Sequence, residues 1–324
     1  MNDAKQGIVM ESTTSIPETT KKTERMGLFK RLIDNPVILK ELRGRMRGGQ
    51  AFTLLTIYLG LIAMFIVFIY SLIAPTYSFR WDPSLRQEAG KAIFGTVVLL
   101  ELLLVSFIAP GLTAGAITSE REHQTYEILR ATLLSARALV LGKLGSAFAY
   151  LFLLILTAVP LQSLAFLLGG VGLGELIVSG LMLVVTAVFF CTLGIFFSSL
   201  LKRTLTATVS SYAAILFSFL ALVFVFFLIA YTEAISYNDP SKFTEYILIL
   251  MIWVLVCTNP LMAAIMTEVI LVEDQNLFYT TNQLFGSSGP AFLPSPWIIY
   301  VLFYASLTVI LILLSIYLVK RPDR

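Results

Sequence analysis

Charge is scarce in this chain. Of 324 residues only 13% are Asp, Glu, Lys or Arg, against about 25% in an average soluble domain. So few charges cannot cover the water-facing surface of a soluble fold of this size. With 57% hydrophobic residues, a disordered chain is excluded as well. Histidine and cysteine are scarcer still. The single histidine, His123, excludes most histidine-based metal sites and weakens any catalytic triad. Cys191 and Cys257 both lie in apolar runs, so they form no disulfide framework or metal cluster and read as packing residues. A phosphate loop of the form G-x-x-x-x-G-K-[ST] is missing: Gly142-Lys143 lacks the upstream glycine and the following Ser or Thr. ATP hydrolysis by that route is excluded. No signal peptide is visible, because the first fifty residues are polar and the first apolar run starts near Ala51. The ten-residue alternation of a membrane barrel is also absent.

What is present is apolar length. Mean hydropathy is +0.86, and segments 51–74, 92–118, 142–168, 175–200, 205–231 and 296–319 each reach the length of about 20 residues that a helix needs to cross a bilayer. The expected fold class is therefore all-α, a polytopic membrane protein with six transmembrane helices. A further apolar stretch, 246–272, is interrupted by Asn259-Pro260. Proline disfavours helix before it and removes a backbone donor. The stretch is either one broken span or two half-helices, 246–257 and 261–272, forming a re-entrant hairpin.

Charge favours the hairpin. With the N-terminus inside and no crossing at 246–272, the cytoplasmic segments 1–50, 119–143, 202–203 and 320–324 hold 19 of the 23 Lys and Arg residues. A crossing would put Lys320, Arg321 and Arg324 outside, against the positive-inside rule. The expectation is a multi-pass protein of a cell membrane with both termini cytoplasmic. Residues 1–26 read as a disordered tail, 27–50 as an amphipathic interfacial segment, 51–319 as the transmembrane domain and 320–324 as a short cytoplasmic tail. No internal repeat is visible, which counts mildly against inverted-repeat secondary transporters.

Two cytoplasmic segments carry a pattern. In the first, Asn35 suits an N-cap and Pro36 the first helical position. Ile38, Leu39, Leu42 and Met46 then share one helical face, and Lys40, Arg43 and Arg47 another. Such a helix lies at the inner interface near anionic headgroups, or also touches a cytosolic partner. In the second, residues 119–143, Ser119 and Glu122 form a capping-box pattern that predicts a helix over 119–136. Glu127 is four residues from His123 and three from Arg130, while Tyr126, Leu129 and Leu133 make an exposed apolar stripe. The stripe lies on the bilayer or docks into a groove on a protein.

Inside the spans, Glu101 is the one formal charge at depth. A carboxylate there costs about 2.5–3.5 kcal/mol on insertion scales. It contacts substrate or a cation, or it hydrogen-bonds a neighbouring helix. Pro110, Gly111 and Gly115 either kink the second span or pack helices closely. Thr206, Ser210 and Tyr212 line an inner vestibule or bond between helices.

Segment 119–143 resembles the cytoplasmic loop of ATP-binding-cassette type 2 permeases. That family shows E-x-E-x-x-T-x-E-x-L-L-x-T-P-L-S followed by G-K. Glu120, Glu122, Thr125, Glu127, Leu129, Thr132, Leu134, Ser135, Gly142 and Lys143 match, while Arg130 and Leu133 depart from it. Residues 35–47 are similar to the family's N-terminal lead-in, and 259–263 with 294–297 to its region before the last span. The resemblance implies the permease half of an exporter in the cytoplasmic membrane of a prokaryote. Its partners would be cytosolic ATPase subunits that bind ATP and Mg, a second six-span permease (identical or a sister) and the lipid bilayer. The chain itself would hold no cofactor or metal and bind no nucleic acid. Docking to the ATPase falls to Glu120, Glu122, Tyr126, Glu127, Leu129, Arg130 and Leu133 on the coupling helix, with Lys40, Arg43 and Arg47 on the interfacial helix. Asn259 and Pro260 would shape an outer gate, and Glu101, Thr206, Ser210 and Tyr212 the pathway. The rivals are an ATP-independent channel or secondary transporter, an intramembrane enzyme, and a non-transporting anchor of a larger complex.

Overall fold

The structure is a computed structural model, and it describes residues 36–46, 49–73, 83–126, 135–236, 242–273, 277–280 and 293–321. Apolar runs leave the backbone no polar partner but its own ladder, so helices form along them. In chain order they are α1 (Pro36–Met46), α2 (Gly49–Ile73), α3 (Pro83–Thr113), α4 (Thr118–Glu122), α5 (Ala136–Leu168), α6 (Leu173–Leu200), α7 (Thr204–Ser236), α8 (Lys242–Thr258), α9 (Pro260–Glu273) and α10 (Pro296–Lys320). Strand β1 (Tyr279–Thr280) pairs antiparallel with β2 (Leu293–Pro294) just before α10. Among the described residues, six helices are long and apolar enough to cross a bilayer: α2, α3, α5, α6, α7 and α10. This is the all-α architecture of a multi-pass membrane protein.

The core is built on α3 and α6. In their most apolar stretches 50% and 56% of residues are buried, against 11% in α2 and 12% in α7, which form the periphery. Close approach of α3 and α6 depends on Gly194, because a Cβ there would sit 2.0 Å from Thr113 Oγ1. The turn from α5 to α6 depends on Gly170, whose φ of +90° suits glycine and whose missing side chain leaves room for the Gln87 backbone.

At about 1.5 Å per residue, α5 with its 33 residues is about 50 Å long, well beyond a hydrocarbon core of about 30 Å. Its first turns pack against α1 and α4 at the end of the bundle that also carries the α6–α7 turn. The C-terminal end of α10 lies at this same end, since Tyr126 Oη donates to Val319 O at 3.2 Å. We call it the basic end. Helix α7 leaves the basic end and α10 returns to it, so the chain between them starts and finishes at the opposite end.

That intervening chain contains the break foreseen at Asn259-Pro260. Helices α8 and α9 meet there at a bend of 111°. Asn259 is fully buried and caps α9: its Oδ1 accepts from Leu261 N and Met262 N at 3.0 and 3.1 Å. Its Nδ2 donates to Ser218 O of α7 at 2.9 Å, and Tyr304 Oη donates to Thr258 O at 2.8 Å. The backbone freed by the break is thus paired within the protein, as a buried polar backbone requires.

Three expectations change. The second span stops at Thr113 and passes through a turn at 114–117. The third starts at Ala136 rather than 142, with Ser135 Oγ accepting from Ala138 N. The helix expected over 119–136 is interrupted: α4 covers only Thr118–Glu122 and ends in a reversal at His123–Thr125, after which Tyr126 is again helical. Residues 127–134, the tail 1–26, residues 27–35, Arg47 and residues 322–324 lie outside the described residues.

Candidate functional site

The basic end is held together by side chains that cap helices other than their own. Helix termini leave backbone groups without intrahelical partners. Arg45 of α1 donates from Nη2 to Leu112 O at the end of α3, at 2.9 Å. Ser198 Oγ of α6 accepts from Ile117 N and Thr118 N at the start of α4, at 2.8 and 3.1 Å. Arg121 of α4 donates from Nη1 to Leu201 O at the end of α6, at 3.1 Å. The Glu122 carboxylate accepts from Thr204 N and Thr204 Oγ1 at the start of α7, both at 2.8 Å. Tyr126 closes the end of α10 through Val319 O. Five helix ends are therefore bridged, and residues 117–126 take part in four of them.

Beneath this cap sits a charge cluster. Lys143, on the first turns of α5, is only 4% exposed. Its Nζ donates to Glu120 Oε1 at 2.6 Å and to Glu41 Oε1 at 3.0 Å. Ser146 Oγ donates to Glu41 Oε2 at 2.9 Å, and Arg45 Nη2 lies 3.9 Å from the same oxygen. The second oxygen of Glu120 is buried with no hydrogen-bond partner among the described residues. Two carboxylates and two cations balance, which allows a lysine to be withdrawn from water. The cluster fastens α1, α4 and α5 to one another.

The electrostatics of Glu122 follow from its role. The Thr204 amide and then its hydroxyl hold the carboxyl below the usual carboxylate range. A negative charge at the first turn of α7 also complements that helix's dipole.

Each residue singled out in the sequence can now be placed. Glu120 and Glu122 are both bonded inside the chain. Ser119 and Glu122 form no capping box: Ser119 N already donates to Gly115 O, while the α7 start offers Glu122 two donors. Tyr126, expected on an exposed stripe, is 6% exposed, with the Arg121 guanidinium 5.1 Å from its ring centre. Its ring finds apolar cover against the end of α10, and its hydroxyl a carbonyl there. Lys40 and Arg43 are exposed on α1, as expected. Glu127, Leu129, Arg130, Leu133 and Arg47 lie outside the described residues. His123, Gln124 and Thr125 form the exposed edge of the loop. Gln124 has φ +58°, and Thr125 N donates to Glu120 O while Gln124 N donates to Arg121 O. This is a Schellman stop with glutamine where glycine is usual.

In the bundle, Glu101 is fully buried and both its oxygens accept from Gln162 Nε2 at 2.9 Å. These bonds tie α3 to α5. Tyr212 Oη donates to Phe107 O of α3 at 2.9 Å, Thr206 Oγ1 donates to Arg203 O in its own helix, and Ser210 is partly exposed. Asn259 and Pro260 are buried at the α8–α9 bend.

Sequence reasoning missed Glu41, Arg45, Ser146 and Ser198. The i,i+4 spacing of Glu41 and Arg45 was the one local signal, because their other partners stand 67 to 105 residues away. Among the described residues no group of three His, Cys, Asp or Glu could hold a metal ion. No protein-family model matches the chain, and no curated protein matches it.

Proposed function

We propose that this chain is the permease subunit of an ATP-binding-cassette exporter in the cytoplasmic membrane of a prokaryote. A separate cytosolic ATPase, which binds ATP and Mg, drives it, and two six-span subunits form the path. The observation that supports this reading is the bridging of five helix ends by residues 117–126 and α1. A partner that displaces this loop pulls at once on α3, α5, α6, α7 and α10. A loop that merely joined two spans would need no such attachments.

In this reading the contact surface is the exposed edge His123–Thr125 together with Lys40 and Arg43, continued by 127–133. Glu120, Glu122 and Tyr126 act behind it, passing the displacement to the spans. The α8–α9 bend is a re-entrant hairpin entered from the outer side, with Asn259 and Pro260 at its deepest point shaping the outer gate. The partner shifts the equilibrium only through its different affinity for the two arrangements of the loop.

The test is purification of the tagged chain from its native membranes in mild detergent, followed by reconstitution. An ATPase subunit carrying a phosphate loop should co-elute. Replacing His123 and Thr125 together by Asp should lower the permease-stimulated ATPase several-fold while the chain still inserts. Transport by the chain alone without ATP, or unchanged stimulation in the double variant, overturns the reading.

A further inference from the structure

Away from the basic end, a crevice opens between α3, α6 and α9. It is lined by Val98, Leu102, Ser179, Met182, Thr267 and Glu268, among others. Ser179 lies six residues into α6 and Glu268 five residues before the end of α9, so the crevice belongs to the end opposite the basic one.

Its polar groups share one property. Ser179 Oγ donates its proton to Leu176 O at 3.1 Å, and Thr267 Oγ1 donates to Ala263 O at 2.6 Å. Both are more than nine-tenths buried. With their protons committed, each hydroxyl has only acceptor capacity left. Glu268 is partly exposed in the crevice and receives no hydrogen bond among the described residues. The charged groups acting on it are Glu175 and Lys91, one of each sign. With Glu268 ionised, Lys91 offsets one of the two carboxylates, which leaves one negative charge for an incoming cation to neutralise. Glu175 is itself engaged by Gly172 N at 3.2 Å at the start of α6. The remaining walls are apolar. A lining with acceptors, one surplus negative charge and hydrocarbon walls matches an occupant with N–H donors, one positive charge and an alkyl body.

We propose that this crevice binds the primary ammonium group of an amphiphile, with the Glu268 carboxylate as counter-ion and the Ser179 and Thr267 oxygens as further acceptors. Ionisable residues at membrane depth generally mark ligand sites. A hydrated metal ion would gain nothing from Val98, Leu102 and Met182, whereas an alkyl chain would. The inference does not rest on the transport reading, since binding needs neither nucleotide nor partner.

The experiment uses the full chain in nanodiscs of phosphatidylcholine and phosphatidylglycerol, which carry no primary amine. Binding of dodecylammonium is measured, with uptake by empty nanodiscs subtracted. Saturable binding is expected, weakened at least about tenfold by Glu268→Gln, as for loss of one charge-assisted bond. Dodecyltrimethylammonium, which keeps the charge and lacks N–H donors, should bind more weakly, and dodecanol should show no dependence on Glu268. Thr267→Val removes an acceptor without changing shape and should weaken binding several-fold, which decides the matter if Glu268→Gln fails to fold. Adding phosphatidylethanolamine distinguishes the source of the amine. Competition assigns the site to a lipid headgroup, and its absence to a free amphiphilic amine. Equal binding by Glu268→Gln and the parent chain, equal affinity for dodecanol, or displacement by equimolar sodium overturns the proposal.

Discussion

Lys143 and Glu101 are both withdrawn from solvent, but opposite partners hold them. Lys143 stands on the first turns of α5, near the end of the bundle, and it is surrounded by ions: Glu41, Glu120 and, one step further, Arg45. Glu101 stands within a membrane-crossing helix, and its partner is the neutral amide of Gln162. The difference follows from depth. Near the interface, residual hydration lowers the cost of each ion, and a network of charges can bind several elements together. At depth each added charge is expensive, so one amide fastens one helix to one other. The basic end is thus many-armed, while the Glu101 site is a single clasp.

The largest expected effect breaks the many-armed cluster. Lys143→Met leaves Glu41 and Glu120 facing one another across an apolar gap. Because both carboxylates retain about a fifth of their exposure, the loss should be near the lower end of the buried-pair range, about 3 kcal/mol in thermal or denaturant unfolding. Adding Glu41→Gln and Glu120→Gln to that variant should recover much of it. No recovery would mean that shape, not charge, holds the cluster.

The clasp should be weaker and more forgiving. Glu101→Leu strands the Gln162 amide and should cost about 1–3 kcal/mol, whereas Glu101→Gln keeps a hydrogen-bonding pair and should lie near the parent. If transport collapses in Glu101→Gln while unfolding is unchanged, the residue serves substrate rather than packing.

The smallest effect belongs to Glu122 and sharpens the comparison with pH. Its folded-state carboxyl lies below the usual range, so its capping of α7 is fully present above the unfolded value of about 4.3. That contribution is lost as pH falls through the lower, folded value. Unfolding followed from pH 7 to pH 3 should show a small extra acid sensitivity that Glu122→Gln lacks. Identical pH profiles would remove the capping role.

The parts legible in advance were those encoded locally. Six apolar runs of bilayer length became α2, α3, α5, α6, α7 and α10, and Asn259-Pro260 became a capped bend because proline ends one helix and starts another. Near the basic end the local signals misled. Ser119 and Glu122 have the spacing of a capping box, and Tyr126 the spacing of an exposed stripe. Yet the α7 start offered Glu122 two better-placed donors, and α10 offered Tyr126 both cover and a carbonyl.

Apolar length and the positions of proline and charge were enough by themselves to specify helices, their number and the point where one breaks. Short-range backbone preference and the cost of exposing peptide groups to hydrocarbon act within a single segment. Which side chain closes which helix end, and which acid meets Lys143, was decided only when the helices packed. Those partners are up to 193 residues apart, and competition among nearby donors is resolved by their positions in space.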